Sequence, residues 1–113
     1  MNISFVLAVY NKLDLTKSCY NRLRDIYPDT PLVISSGGST DGTKEWLESL
    51  NDDYLSYFHD DERLTFSDNY NAGIKLVDTE KLVLIHNDLI LGDLFFSYTL
   101  KHSFDFTYKR LLA

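Results

Sequence analysis

Short apolar runs alternate with stretches of helical periodicity over residues 3–86, and that alternation leaves few folds open. Ile3-Ser-Phe-Val-Leu-Ala-Val9 is a near-continuous apolar run, as expected of a strand buried on both faces. Leu15, Cys19, Leu23 and Ile26 then fall at steps of four, four and three, one apolar stripe of a helix. Tyr27-Pro28-Asp29 ends that helix, because proline disfavours helical geometry in the residue before it. Leu32-Val33-Ile34 is a second buried strand, running straight into Ser35-Ser-Gly-Gly-Ser-Thr-Asp-Gly42. Asp41 or Thr40 caps the next helix, whose inner face is Trp46, Leu47 and Leu50. Tyr54 to Phe58 is a weaker strand, and Phe66, Tyr70, Ile74 and Val77 step again by four, four and three. Lys81 to His86 holds the purest strand run, Leu-Val-Leu-Ile, and is expected at the centre of the sheet. The order β-α-β-α-β-α-β predicts a three-layer α/β/α domain, its sheet mainly parallel and its crossovers right-handed.

Composition narrows the function. A chain of 113 residues makes a single domain over 1–113, and 44% hydrophobic residues supply a core. A net charge of −6 argues against a nucleic-acid partner, which would call for a basic stripe. The single cysteine, Cys19, excludes an internal disulfide and a cysteine-built zinc site, and its place on an apolar stripe marks it as core. No apolar run approaches the roughly 20 residues of a membrane span. No signal segment opens the chain, so a cytoplasmic protein is expected.

In parallel α/β sheets ligands bind beyond the carboxyl ends of the strands. Here those ends are Tyr10-Asn11, Ser35 to Gly42 and His86-Asn87-Asp88, so three polar clusters share one rim. Gly37, Gly38 and Gly42 allow close approach of backbone to a ligand, although any β-to-α turn uses such residues. Tyr10 offers an aromatic face to a nucleobase, or packs as an ordinary core residue. Asp88 follows a buried strand, where one carboxylate plus substrate phosphates suffices for Mg²⁺ or Mn²⁺; an isolated aspartate there is also a helix cap. Asp60-Asp61-Glu62 reads as a solvated loop.

Taken together, Ile3 to Asn11, Gly38-Ser-Thr-Asp-Gly-Thr43, Asn71-Ala-Gly73 and His86-Asn-Asp88 resemble the nucleotide-sugar-binding half of family 2 glycosyltransferases, which have the GT-A fold. The resemblance covers residues 3–92 and implies a nucleotide-diphosphate sugar donor, a divalent metal (Mn²⁺ or Mg²⁺) and an inverting sugar transfer to an acceptor that the sequence does not identify. Carried over residue by residue, Ala8 and Tyr10 match positions lining the base, with Asn11 beside them. Asn87 and Asp88 match the D-x-D region, with Asp88 as the metal ligand, and Arg63 is placed to reach the diphosphate. Ser36 and Gly37 stand where the family has two aspartates, one of which reads the base, and this counts against uracil-type recognition. Ala8 replaces a frequent proline.

Family members continue into an acceptor-binding half that carries the catalytic base, whereas this chain ends 25 residues after Asp88. The expectation is a truncated, donor-binding form, or alternatively a non-catalytic nucleotide-sugar-binding or interaction module. Asp93 to Leu100 reads as a short helix, and Phe104, Phe106 and Tyr108 alternate as in a strand. With Phe95, Phe96 and Tyr98 they crowd the last segment with aromatics, which predicts self-association or a partner chain through the region after Leu94.

Overall fold

The computed structural model describes residues 2–87. Strand β1, Ile3–Val9, forms over the predicted apolar run. Its alternate residues Ile3, Phe5, Leu7 and Val9 enter one core, while Val6 and the half-buried Ala8 enter the other, as a strand's period of two demands. One edge of β1 pairs in parallel with β2, Leu32–Gly37, from Phe5↔Leu32 to Val9↔Ser36. The other edge pairs in parallel with β4, Lys81–Ile85, from Ile3↔Lys81 to Leu7↔Ile85. Strand β3, Leu55–Asp60, lies outside β2, giving the order β3-β2-β1-β4.

Helices α1, Leu13–Ile26, and α2, Thr43–Ser49, cover the face of Phe5 and Leu7 with Cys19, Leu23 and Leu47. Tyr20 and Trp46 join them edge to face, their ring centroids 5.5 Å apart. After β3 the chain crosses back over the sheet to reach β4, and a right-handed crossover in that direction must lie on the opposite face. Helix α3, Phe66–Ile74, does so, burying Tyr70 and Ile74 against Val6, Val33 and Leu82. It sits close because Gly73 has no side chain: a Cβ there would stand 3.1 Å from Val6 Cγ1. The result is the expected three-layer α/β/α arrangement.

Several details differ from the sequence reading, among them the ends of β2 and β3, which run on to Gly37 and Asp60 and take in residues read as loop. The buried stripe of α1 is Thr16, Cys19 and Leu23, and Leu15 is 42% exposed. Thr16 displaces Leu15 because its hydroxyl is bonded on both sides, donating to Lys12 O at 3.3 Å and accepting from Asn87 Nδ2 at 3.1 Å. Strand β4 ends the described sheet and β1 is central; the pure apolar run of β4 reflects cores on both faces, not strands on both edges. The N-cap of α2 is Gly42, at φ 97°, without a side-chain cap bond, while Asp41 accepts from Leu13 N and from the Thr43 hydroxyl. Phe66 opens α3 but is 63% exposed.

Cys19 is buried, and burial pushes its thiol up to about 11, so it is core material. Among the described residues no helix is long and apolar enough to cross a membrane. Asp88, the helix and strand expected after it, and the aromatic cluster after Leu94 lie outside the described residues.

The rotated stripe of α1 sets a contrast. Leu23→Ala, at a fully buried position, lowers unfolding free energy by about 2–5 kcal/mol. Leu15→Ala changes it by about 0.5 kcal/mol or less. Urea unfolding of both variants measures the difference, and equal losses would restore the stripe read from the spacing.

Candidate functional site

The sheet changes direction beside β1: the chain leaves β1 toward β2 under one face and returns to β4 over the other. The crevice beyond the carboxyl ends of β1 and β4 is the place where such sheets bind ligands. A cleft of about 190 Å³ opens there, lined by Ala8, Tyr10, Arg63, Phe66, Asn69 and His86 among others.

The turn that leaves β1 is built by cross-loop hydrogen bonds. Asn11 and Lys12 both adopt left-handed backbone, at φ 54° and 56°, which costs roughly 1–3 kcal/mol each without compensation. The compensation comes from the Gly-rich turn after β2. Ser39 Oγ accepts from Asn11 N at 2.9 Å, and Asn11 Oδ1 accepts from Thr40 N at 2.7 Å. Asp41 Oδ2 accepts from Leu13 N at 2.9 Å, capping α1 from another loop, and Asp41 Oδ1 accepts from Thr43 Oγ1 at 2.6 Å. Burial pushes the Asp41 carboxyl up, but the hydrogen bonds from Thr43, Leu13 and neighbouring amides outweigh it and hold the group below its ordinary value. A larger depression of about 420 Å³ over Lys12, Asp14 and Asp41 carries no aromatic wall, and Asp41 there is already bonded within the fold.

The cleft walls come from α3 and the segment before it. The Arg63 guanidinium lies over the Tyr10 ring, 4.1 Å from its centroid. Gly38 sets that placement: at φ 84° it brings its Cα against Arg63, and a Cβ there would stand 2.5 Å from Arg63 Cα. Thr65 Oγ1 accepts from Asp68 N at 3.1 Å and starts α3. One turn on, the buried Asn69 ties the helix to the sheet, with Nδ2 donating to Val9 O at 3.0 Å and Oδ1 accepting from Ser35 Oγ at 2.7 Å. The Tyr70 hydroxyl donates to Ile85 O. Opposite, the ring of Phe66 stacks on His86, centroids 5.6 Å apart and 24° from parallel.

The sequence-derived candidates separate into three groups. Ala8, Tyr10 and Arg63 meet in the cleft. Asn11, Ser36 and Asn87 sit on the same rim but are bonded within the fold. The Asn11 side chain holds Thr40, and the Asn87 amide donates to Thr16. Ser36 is fully buried, its hydroxyl 3.0 Å from His59 Nδ1, and His59 Nε2 lies 3.2 Å from Asp61. Asp88 lies outside the described residues. Among the described residues no group of three or more His, Cys, Asp and Glu is arranged to hold a metal. The sequence alone does not mark Asn69, Phe66 and Thr16 as site residues. Phe66 looked like helix core, and Asn69 shows its role only when α3 is laid on the ends of β1 and β2.

The family model for Glycosyl transferase family 2 matches residues 4–102. Nineteen chains of solved structures match, among them the mannosyltransferase PcManGT from Pyrobaculum calidifontis in complex with GDP-Man and Mn²⁺. The match to that enzyme has a TM-score of 0.67 at 22% identity, covering 77% of this chain and 27% of the enzyme. The fold is thus that of a GT-A glycosyltransferase. No curated protein sequence matches.

Two substitutions test the rim. Gly38→Ala loses about 1–3 kcal/mol of stability from its backbone conformation alone, before displacement of Arg63, as urea unfolding will show. Asp41→Ala lowers the urea midpoint at pH 7. Because the folded-state carboxyl titrates below its ordinary value, its stabilisation is complete above about pH 4 and disappears as pH falls through the folded value. The gap between wild type and variant therefore narrows toward pH 3.

Proposed function

The chain belongs to glycosyl transferase family 2, and from that premise we propose that the cleft between β1 and β4 binds the nucleotide part of a nucleotide-diphosphate sugar. The observation that carries this reading is the pairing of Tyr10 with Arg63 at the switch point of the sheet. An aromatic face suits a base, and a guanidinium suits a diphosphate in planar, paired hydrogen bonds. At about 190 Å³ the cleft is smaller than the roughly 300–1,000 Å³ that enclose a whole drug-sized ligand. It takes the base, and the phosphates run toward His86 and Asn87 at the end of β4.

A divalent cation held by Asp88 and the phosphates of the donor is part of this proposal. Mg²⁺ and Mn²⁺ prefer oxygen ligands and take one or two carboxylates, the substrate phosphates completing the sphere. Asp88 is the proposed ligand. Bound there, the cation would stabilise charge on the diphosphate as it leaves. The work of this chain's own residues is positional: the Asn87 amide, held by Thr16, fixes the start of the segment that carries Asp88. The His86 ring, stacked on Phe66, walls the cleft beside it. In the complete reaction the sugar passes to an acceptor hydroxyl with inversion, and the aromatics after Leu94 form the contact with a second chain.

One observation favours a second reading, a nucleotide-sugar-binding module without transfer. The Ser36 hydroxyl is buried against His59, so it presents no base-reading group to the cleft.

Calorimetric titration of nucleoside diphosphates, with and without Mn²⁺, tests the proposal. Tyr10→Ala weakens binding by about 1–3 kcal/mol with or without metal, the contribution of one base stacked on an aromatic ring. Asp88→Ala removes at least about tenfold of the Mn²⁺-dependent affinity while metal-free binding persists and circular dichroism is unchanged. Undiminished Mn²⁺ stimulation in that variant would take the metal away from Asp88. Product formation with a panel of nucleotide sugars and acceptors separates the transferase from the binding module.

A further inference from the structure

We propose that Arg63 makes access of a base to the Tyr10 ring conditional on an anionic diphosphate, so that the cleft selects nucleoside diphosphates over nucleosides. The inference rests on the donor-site reading above and adds a specificity device to it. At 4.1 Å from the ring centroid the guanidinium lies in contact with the face of Tyr10, because carbons meet at about 3.5–4.0 Å. A base cannot stack on a face already covered in this way. Tyr10 and Arg63 both line the cleft, so the contact between them lies at the binding site.

Arg63 is free to leave. Among the described residues it makes no ion pair and no hydrogen bond, although the chain carries 17 acidic residues against 11 Lys and Arg. Of the acids just before it, Asp60 Oδ1 accepts from Glu62 N at 2.9 Å and Asp61 faces His59, and among the described residues no ion pair joins Glu62 to Arg63. Arg24 shows what a structural arginine looks like in the same protein. Its guanidinium reaches Asp52 at 2.7 Å, Thr30 O at 2.6 Å and Tyr27 O at 3.2 Å. In the described structure Arg63 instead rests on one aromatic ring. Its backbone is pinned against Gly38, so the movement required is a swing of the side chain alone.

The energetics give the direction. A cation resting on an exposed aromatic is worth a factor of about 2–5 in equilibrium. Hydrogen bonds from the guanidinium to phosphate oxygens are worth about tenfold or more. A diphosphate therefore draws Arg63 off Tyr10 and uncovers the ring for its own base. A nucleoside has no such differential affinity and must displace Arg63 unaided.

The test is titration of uridine, guanosine and their diphosphates against wild type, Arg63→Ala and Arg63→Lys of the full chain. Arg63→Ala is expected to bind nucleosides about 2–5-fold more tightly and diphosphates about tenfold more weakly. Arg63→Lys keeps the charge but not the planar cover, so it gains nucleoside affinity while losing less for diphosphates. If Arg63→Ala weakens nucleosides and diphosphates alike, Arg63 is part of the base platform; the coupling falls and the donor site stands. If it leaves nucleosides unchanged and weakens only diphosphates, Arg63 is a phosphate ligand without a covering role, and the coupling again falls. Failure of wild type to bind any of the four ligands would overturn the inference together with the donor-site reading.

Discussion

The rim is organised around the carboxyl end of β1. That strand is hydrogen-bonded on both edges and packed on both faces, with Val6 and Leu7 fully buried. Each such side chain contributes about 1.5–3 kcal/mol relative to exposure, so Val9 ends the most constrained segment of the described fold. Tyr10 follows at once, so the strand sets where its backbone stands at the crevice. The sheet reverses its winding beside the same strand, so the crevice and this constrained end coincide. Asn69 reinforces the coincidence from the other layer by bonding Val9 O and Ser35 Oγ with the two ends of one amide. A buried amide costs stability when either end is unpaired, so full use of both ends turns a liability into a brace between α3, β1 and β2.

The sequence carried the frame because the frame is periodic. Strand β1 occupies its expected residues, and the helices lie over the expected stretches, since alternation and steps of three and four report local geometry. The misses share a cause as well. The spacing points to Leu15 as buried and passes over Thr16, because an apolar count cannot see that Asn87, 71 positions away, supplies a hydrogen bond to the threonine. The apolar run of β4 predicts the middle of the sheet, whereas hydrophobic purity reports covered faces and not covered edges.

The site was legible only in part for a related reason. Tyr10 was visible as an aromatic at a strand end, and Arg63 as a basic residue near the third helix. Nothing in either stretch states that one lies on the other; that follows from the contact of Gly38 with the Arg63 backbone, which depends on three elements folding together. Ser36 shows the converse. The sequence places it in the Gly-rich turn, whereas β2 runs on to Gly37 and its register with β3 sets Ser36 beside His59, where their side chains bond each other. A motif locates a residue along the rim; the neighbouring strand decides whether its polar atom faces the cleft or the fold.

The two walls of the cleft differ in how they are held, and this difference bears on how a donor would be received. The Tyr10 side rests on left-handed backbone at Asn11 and Lys12, fixed by bonds from Ser39, Thr40 and Asp41 across a second loop. Strain of that kind persists only where the surroundings over-determine it, so this wall is set before any ligand arrives. On the other side, Phe66 is largely exposed, and among the described residues the Arg63 side chain has only the ring beneath it. Rigid aromatic surface lowers the entropic cost of ordering a base, whereas a long cationic side chain can follow phosphates whose position depends on the sugar beyond them. Placing the rigid group at the base and the adaptable one toward the phosphates suits a donor whose variable part lies at its far end.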